Sequence, residues 1–263
     1  MTSNDVNENA TPADDGVLRL DLALVARGVM ETRAQAQASI KAGKVRVDDE
    51  VVTKASFKVQ PDQKISGEKL HPFVSRGGMK LEHALKTFNI KVEGKTALDI
   101  GSSTGGFTDV LLRAGVVKIY AVDVGRDQLH ESLRKDKRIV SYEGMDARKL
   151  NRSLIDTAPD IIVCDASFIS LSKLLRQSMK LSSLKADMVV LFKPQFEVGK
   201  ENIGKGGIVS DQNAVAKARK QFDLWLESEG WQIEKSCTSP IKGGDGNREY
   251  LIHARRIVQG WTP

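Results

Sequence analysis

Between Thr96 and Lys193 the chain alternates five- to seven-residue apolar runs with amphipathic stretches, and each run meets a glycine, an acid or a lysine at its carboxyl end. The runs at 96–100, 118–124, 139–143, 160–165 and 188–193 read as strands. Helical periodicity falls at 80–89, 106–114, 127–135, 170–180 and 212–229. Near-continuous apolar strands separated by helices require a parallel sheet covered on both faces. A closing pair at 231–238 and 249–255 leaves no room for a crossover helix, so it is expected to be antiparallel. The fold class is therefore α/β, a doubly wound, Rossmann-like sheet, mainly parallel with an antiparallel last strand.

A second, smaller module precedes it. Residues 1–16 are polar and acidic, with Asp5, Glu8, Asp14 and Asp15 and no Lys or Arg, and are expected to be a disordered tail. Periodicity begins at Val17. A short helix over 19–27 closes at Gly28, and Thr32 with Gln35 has the spacing of a capping box opening a helix that ends at Gly43. Alternation over 44–48, an Asp-Asp-Glu turn and Val51–Val52 then read as a hairpin. The chain carries +6 overall, the tail carries −4, and residues 17–80 hold 12 Lys/Arg against 7 Asp/Glu. Such a basic surplus favours polyanionic partners, because each neutralised phosphate releases counterions. Arg19, Arg33, Lys41, Lys44 and Arg46 are the candidates for holding RNA phosphates on one face. The expected divisions are tail 1–16, small α+β module 17–73, linker 74–79 and catalytic-type sheet domain 80–263, with Pro72 and Gly77–Gly78 interrupting regular structure.

In open parallel sheets ligands bind beyond the carboxyl ends of the strands, so those ends carry the candidate site. The first gives Asp99-Ile-Gly101-Ser-Ser103-Thr104-Gly105-Gly106-Phe107, a glycine-rich turn between strand and helix where backbone approaches a ligand closely. It is neither a dinucleotide fingerprint, since Ser103 replaces the second glycine, nor a phosphate-binding Walker loop. The second strand ends at Asp123, about 20 residues past the turn, where a carboxylate accepts both hydroxyls of a ribose. Asp146 follows the third and suits an exocyclic adenine amine. Asp165 ends the fourth, and Lys193 emerges from the apolar fifth. Acids in series behind a glycine turn suit an adenosine ligand that carries no phosphate. Lys193, Asp165, Lys80 and Glu249 fit either a buried ion-pair network or a reactive cluster. The loop after Lys193, rich in Gly and Lys, is expected to be a flap with Phe196 available for stacking, or simply structural.

Residues 17–77 resemble the ribosomal protein S4-like RNA-binding domain, through Arg19-Leu20-Asp21, Arg33, Ile40-Lys41-Ala42-Gly43 and Lys44-Val45-Arg46-Val47-Asp48. Residues 74–255 resemble the TlyA family, often labelled "hemolysin", through 75–80 (SRGGMK), 99–108 (DIGSSTGGFT), 165–170 (DASFIS), 193–200 (KPQFEVGK) and 246–250 (GNREY). That family joins an S4-like domain to an FtsJ-like class I methyltransferase that uses S-adenosylmethionine. The resemblance implies 2′-O-methylation of a cytidine ribose in 23S ribosomal RNA, and in some members 16S, with ribosomal RNA or ribosomal subunits as partner. It also implies a catalytic tetrad at Lys80, Asp165, Lys193 and Glu249. Its nucleoside-binding acids fall on Asp99, Asp123 and Asp146, beside the turn residues Gly101, Ser103, Thr104, Gly105, Gly106 and Phe107.

The composition is that of a soluble, reduced, cytoplasmic protein: no apolar run nears the roughly 20 residues of a membrane span, no secretory pattern opens the chain, and there are two cysteines. His71, His83, His130 and His253 have no metal-ligand spacing, so no metal is expected. A non-catalytic RNA-binding module would leave the four-residue cluster unused, and a pore-forming cytolysin finds no amphipathic pore segment.

Overall fold

The structure, a computed structural model, describes residues 16–257, so the expected acidic tail (Gly16 apart) and residues 258–263 lie outside the described residues. The chain divides into two compact units, one ending at Pro72 and the other beginning at Phe73. In the first, β1 (Leu18–Arg19) leads into α1 (Leu20–Ala26), followed by α2 (Arg33–Lys41), β2 (Val45–Val47), β3 (Glu50–Val51), β4 (Lys58–Val59) and β5 (Ile65–Gly67). Thr32 caps α2 by accepting from the Gln35 amide at 3.2 Å, and Gln35 Oε1 accepts from the Glu31 amide. Asp48 and Asp49 both take positive φ, which closes the tight β2–β3 hairpin. Leu20, Leu24, Met30, Ile40, Val45 and Val59 fill a small separate core.

That unit uses two of its expected RNA-binding residues internally. Asp21 is fully buried and accepts from Arg19 Nε at 3.0 Å, Arg33 Nε at 2.8 Å and Gln37 Nε2 at 2.8 Å. The Arg19 hydrogen bond holds the Asp21 carboxyl well below the usual range, against the opposing effect of burial. Arg19 and Arg33 thus converge on a carboxylate that fastens β1 and α1 to α2. Lys44 pairs with Glu68 at 3.1 Å, Arg46 donates to the Asp49 carbonyl at 2.6 Å, and Lys41 is exposed without an ion pair among the described residues.

The second unit is a seven-stranded sheet with helices on both faces. Its elements are α3 (Gly77–Phe88), β6 (Thr96–Ile100), α4 (Gly106–Arg113), β7 (Lys118–Asp123), α5 (Glu131–Arg134), β8 (Ile139–Glu143), β9 (Ile161–Cys164), α6 (Leu171–Leu181), β10 (Asp187–Phe192), α7 (Gln212–Ser228), β11 (Trp231–Thr238) and β12 (Tyr250–Arg256). The strand order is β11-β12-β10-β9-β6-β7-β8. Strands β6 to β10 pair in parallel, and β12 runs antiparallel to both β10 and β11. Strands β6, β9 and β10 are buried at every residue, as their unbroken apolar runs demand. Helix α5 is shorter than its periodicity suggests: Asp127 takes φ +56, and Glu143 captures the Gln128 and Leu129 amides, so 125–130 forms a turn instead.

The expected linker at 74–79 is also corrected, because Gly77 and Gly78 begin α3 rather than breaking structure. They are small for packing. A Cβ on Gly78 would stand 2.5–2.8 Å from Phe73, and one on Gly106 would stand 2.9 Å from the Gly78 nitrogen and collide with Ser75 Oγ. The Val74 amide donates to Asp109 Oδ2 at 3.0 Å, which binds this segment to α4. Gly106→Ala should therefore destabilise the fold by about 1–3 kcal/mol, since backbone on the far side has little room to yield. Chemical denaturation of the purified variant reads this directly.

Candidate active site

All five parallel strands point their carboxyl ends at one rim, and two adjoining cavities open there. The larger, about 620 Å³, has Ile100, Val122, Met145, Ile169 and Leu174 as apolar walls, with Asp123 and Asp146 as acids. The smaller, about 410 Å³, is lined by the glycine turn, Ser75, Arg76, Lys80, Asp165, Lys193, Gln195, Phe196, Asp245 and Glu249. Gly101, Ser103, Asp165, Ser167 and Phe168 belong to both, so Asp165 stands where the cavities meet.

The four cluster residues, scattered over 170 positions of sequence, come together there. Lys193 Nζ lies 2.7 Å from Asp165 Oδ1, and it donates to Ser167 Oγ at 2.8 Å and the Asp165 carbonyl at 3.3 Å. Asp165 Oδ1 takes no hydrogen bond from the described residues beyond this ionic contact. Lys80 Nζ donates to Glu249 Oε2 at 2.7 Å and stands 3.8 Å from Asp165 Oδ2. Lys80, Lys193 and Glu249 are buried, and Asp165 is the most open of the four.

Asp123 faces the larger cavity with its carboxylate held by two backbone amides, Ser103 at 2.8 Å and Gly125 at 2.7 Å. Asp146 lines the same cavity but is chelated by Arg148, at 2.6 Å from Nη2, and that bond holds its carboxyl below the usual range. The glycine turn puts Gly101, Ser103, Thr104, Gly106 and Phe107 on cavity walls. Gly101, at φ +75, passes so close to Ala166 that a Cβ would meet its backbone at 2.9 Å.

Two expected cofactor residues fall elsewhere. Gly105 is buried against Leu129 and Leu133 of the α5 region, so it serves packing rather than a ligand wall. Asp99 is fully buried beneath the turn and on neither cavity wall; Oδ2 accepts from Thr108 Oγ at 2.6 Å, while Oδ1 is unpartnered. Burial pushes its carboxyl up to about 7, opposed by the Thr108 hydrogen bond and assisted by the Asp165 charge.

Phe168 is the residue that sequence reasoning left unassigned. It is 90% exposed, takes φ +66, lines both cavities, and lies 5.2 Å from the Phe196 ring at a tilt of 52°. An aromatic three residues past a strand-end acid was the available signal; its left-handed backbone was not legible. Cys164, next to Asp165, is no nucleophile: burial pushes its thiol up to about 12. Among the described residues no group of three His, Cys, Asp or Glu is arranged for a metal ion, and no helix is long and apolar enough to cross a membrane.

This strand order, with a nucleoside-sized cavity beyond the strand ends, is that of a Rossmann-like methyltransferase. An FtsJ-like methyltransferase family model matches residues 73–256, and an S4 domain model matches residues 18–65. The 16S/23S rRNA (cytidine-2′-O)-methyltransferase TlyA of Mycobacterium tuberculosis is 41% identical over 244 residues, covering 90% of this chain and 89% of its own. Hemolysin A of Brachyspira hyodysenteriae is 41% identical over 237 residues, covering 90% and 99%. A solved chain from Streptococcus thermophilus bearing a hemolysin label superposes with a TM-score of 0.73 at 37% identity, covering 92% of this chain and 89% of its own. The chain belongs to the TlyA family of FtsJ-like methyltransferases.

Asp99 yields a pH prediction. Its carboxyl titrates near 7 when folded and near 3.9 when unfolded, so the native state binds the extra proton between those values. Stability should fall as pH rises from about 4 to 7, and Asp99→Asn should flatten that part of the profile. Urea midpoints across the range measure it; an unchanged slope in the variant would show that Asp99 ionises freely.

Proposed function

We propose that this chain is an S-adenosylmethionine-dependent 2′-O-methyltransferase acting in the cytoplasm on cytidine ribose in ribosomal RNA, with 23S as its substrate and 16S, which the name of the Mycobacterium tuberculosis relative also carries, as a second. The observation that carries the reading is the junction at Asp165, where a nucleoside-sized cavity opens onto the buried two-lysine, two-carboxylate cluster. The names of the relatives support the RNA substrate, and the matched S4 domain, with exposed Lys41, Lys44 and Arg46, supports contact with RNA phosphates.

The larger cavity fits the cofactor by chemistry. Its apolar walls suit an adenine, Asp123 presents an oriented carboxylate to ribose hydroxyls, and Asp146 suits the adenine amine once Arg148 gives way. When bound, S-adenosylmethionine supplies an electrophilic methyl on a sulfonium. The chain's own part is orientation and proton transfer. The smaller cavity receives the target ribose, with the exposed Phe168 and Phe196 rings available to stack on its base. Lys193 Nζ holds the 2′-hydroxyl in line. With its ammonium proton first given up to solvent through the open cavity, Nζ would take the hydroxyl proton as the 2′-oxygen accepts the methyl that the bound cofactor would supply. Asp165 and Ser167 hold the resulting ammonium, and Lys80 with Glu249 fixes Asp165 from the other side.

Three variants test this. Asp123→Ala should lose roughly 1.5–3 kcal/mol of cofactor binding by calorimetry, the usual size for hydrogen bonds to a charged group. Lys193→Ala should lower kcat about 10²- to 10⁴-fold with little change in cofactor or RNA affinity. Lys193→Arg should be nearly as inactive, because arginine keeps the charge but takes no proton at neutral pH. An active arginine variant would leave Lys193 as an electrostatic positioner only. Mass mapping of rRNA after incubation with labelled cofactor gives the readout.

A further inference from the structure

A buried amide beside the cluster has no part in the mechanism above. Asn247 is 2% exposed, and every polar group of its side chain is used: Oδ1 accepts from the Val209 amide at 2.9 Å, and Nδ2 donates to the Gly207 carbonyl at 2.8 Å. Its own carbonyl accepts from the Gly243 amide at 2.9 Å, which closes the 243–247 turn. Asn247 and Glu249 face inward while Arg248 between them is exposed, the alternation of an extended segment entering β12. Glu249 is the carboxylate that receives Lys80.

The partners of Asn247 lie at the far end of the loop that leaves Lys193. The near end is held separately, because Glu197 accepts from Ser170 Oγ at 2.7 Å and from the Leu171 amide at 2.8 Å at the start of α6. Between the two fastenings the loop has short helical turns, three glycines at positive φ (Gly199, Gly206 and Gly207), a bond from Asn202 Nδ2 to the Val198 carbonyl at 2.7 Å, and Ile203 packed on the main core. Glycine-rich backbone of this kind has several accessible paths, so the ties at its ends help to fix the one it takes. The effect of that tie should be one-sided. The smaller cavity takes Gly244, Asp245 and Glu249 from the turn of Asn247, and Lys193, Gln195 and Phe196 from the start of the loop. The larger cavity takes nothing from either segment.

We propose that Asn247 is a positioning residue for methyl transfer: its amide locks the 199–209 loop to the 243–249 turn and so holds Glu249 in place against Lys80. The proposal rests on the methyltransferase reading and assigns a role to a residue outside the four-residue cluster. A buried asparagine that only filled space would affect folding, cofactor binding and turnover alike.

The test uses the full chain with Asn247→Ala and Asn247→Asp. The aspartate keeps the acceptor for the Val209 amide and loses the donor to Gly207. Expected for Asn247→Ala are a kcat about 10- to 100-fold lower at saturating rRNA, a cofactor Kd within about twofold of the parent, and faster hydrogen exchange at the Val209 amide. Asn247→Asp should fall between parent and alanine in both exchange and kcat, and it carries the test if the alanine variant fails to fold. The proposal is overturned if kcat stays at the parent value, if cofactor affinity falls in step with kcat, or if Val209 exchange is unchanged. A parent chain that binds cofactor yet leaves rRNA unmethylated overturns the methyltransferase reading instead, and Val209 exchange then decides separately whether Asn247 is the fastening.

Discussion

The Lys193–Asp165 ion pair, 2.7 Å long and largely removed from water, is the contact on which the site depends. Removing two charges from solvent costs several kcal/mol per ion, and their attraction repays it only with good geometry and further hydrogen bonds. Here the further bonds exist: Ser167 and the Asp165 carbonyl take Lys193, and Lys80 joins Asp165 to Glu249. Hydrophobic residues of similar volume would hold these strand ends together at least as well. The cluster is therefore better understood as a device for holding charge at one point than as a source of stability.

Close backbone approach makes that point reachable. Gly101 runs against Ala166, Gly106 against Gly78 and Ser75, and Gly105 against the leucines of the α5 region. Three glycines of one turn thus solve three different steric problems, and of these Gly101 and Gly106 face a cavity. The same turn donates the Ser103 amide to Asp123, so the loop that opens the cleft also aims the acid on its far wall.

The two units are built on different economies of charge. In the first, Asp21 sits at the centre and two arginines are drawn inward to it, leaving lysines and Arg46 on the outside. In the second, a further buried acid, Asp187, is gripped by His253, Lys95 and Arg255 at the opposite ends of the strands from the cleft. Burial alone would raise the Asp187 carboxyl, but hydrogen bonds from His253 and Lys95 hold it well below the usual range. Of the four histidines, this one has a structural task that no motif announces.

Periodicity determined the parallel sheet, because a strand buried on both faces and an amphipathic helix each need a local pattern of apolar residues; the short final connection determined the antiparallel last strand, the Thr32–Gln35 spacing the capped α2, and the Asp-Asp-Glu turn the β2–β3 hairpin. Strand ends likewise pointed to Asp123, Asp165 and Lys193, since topology puts all carboxyl ends on one rim. What the tertiary structure alone decided were relations between residues far apart in the chain. It turned Arg19 and Arg33 toward Asp21, moved Asp99 and Gly105 off the cavity walls, made the 77–78 glycines part of a helix, and exposed Phe168. It also brought Asn247 to a loop 40 residues earlier. These are matters of which side chain reaches which neighbour, and a one-residue shift in register or a single left-handed φ changes the answer without altering the apolar pattern that sequence reading detects.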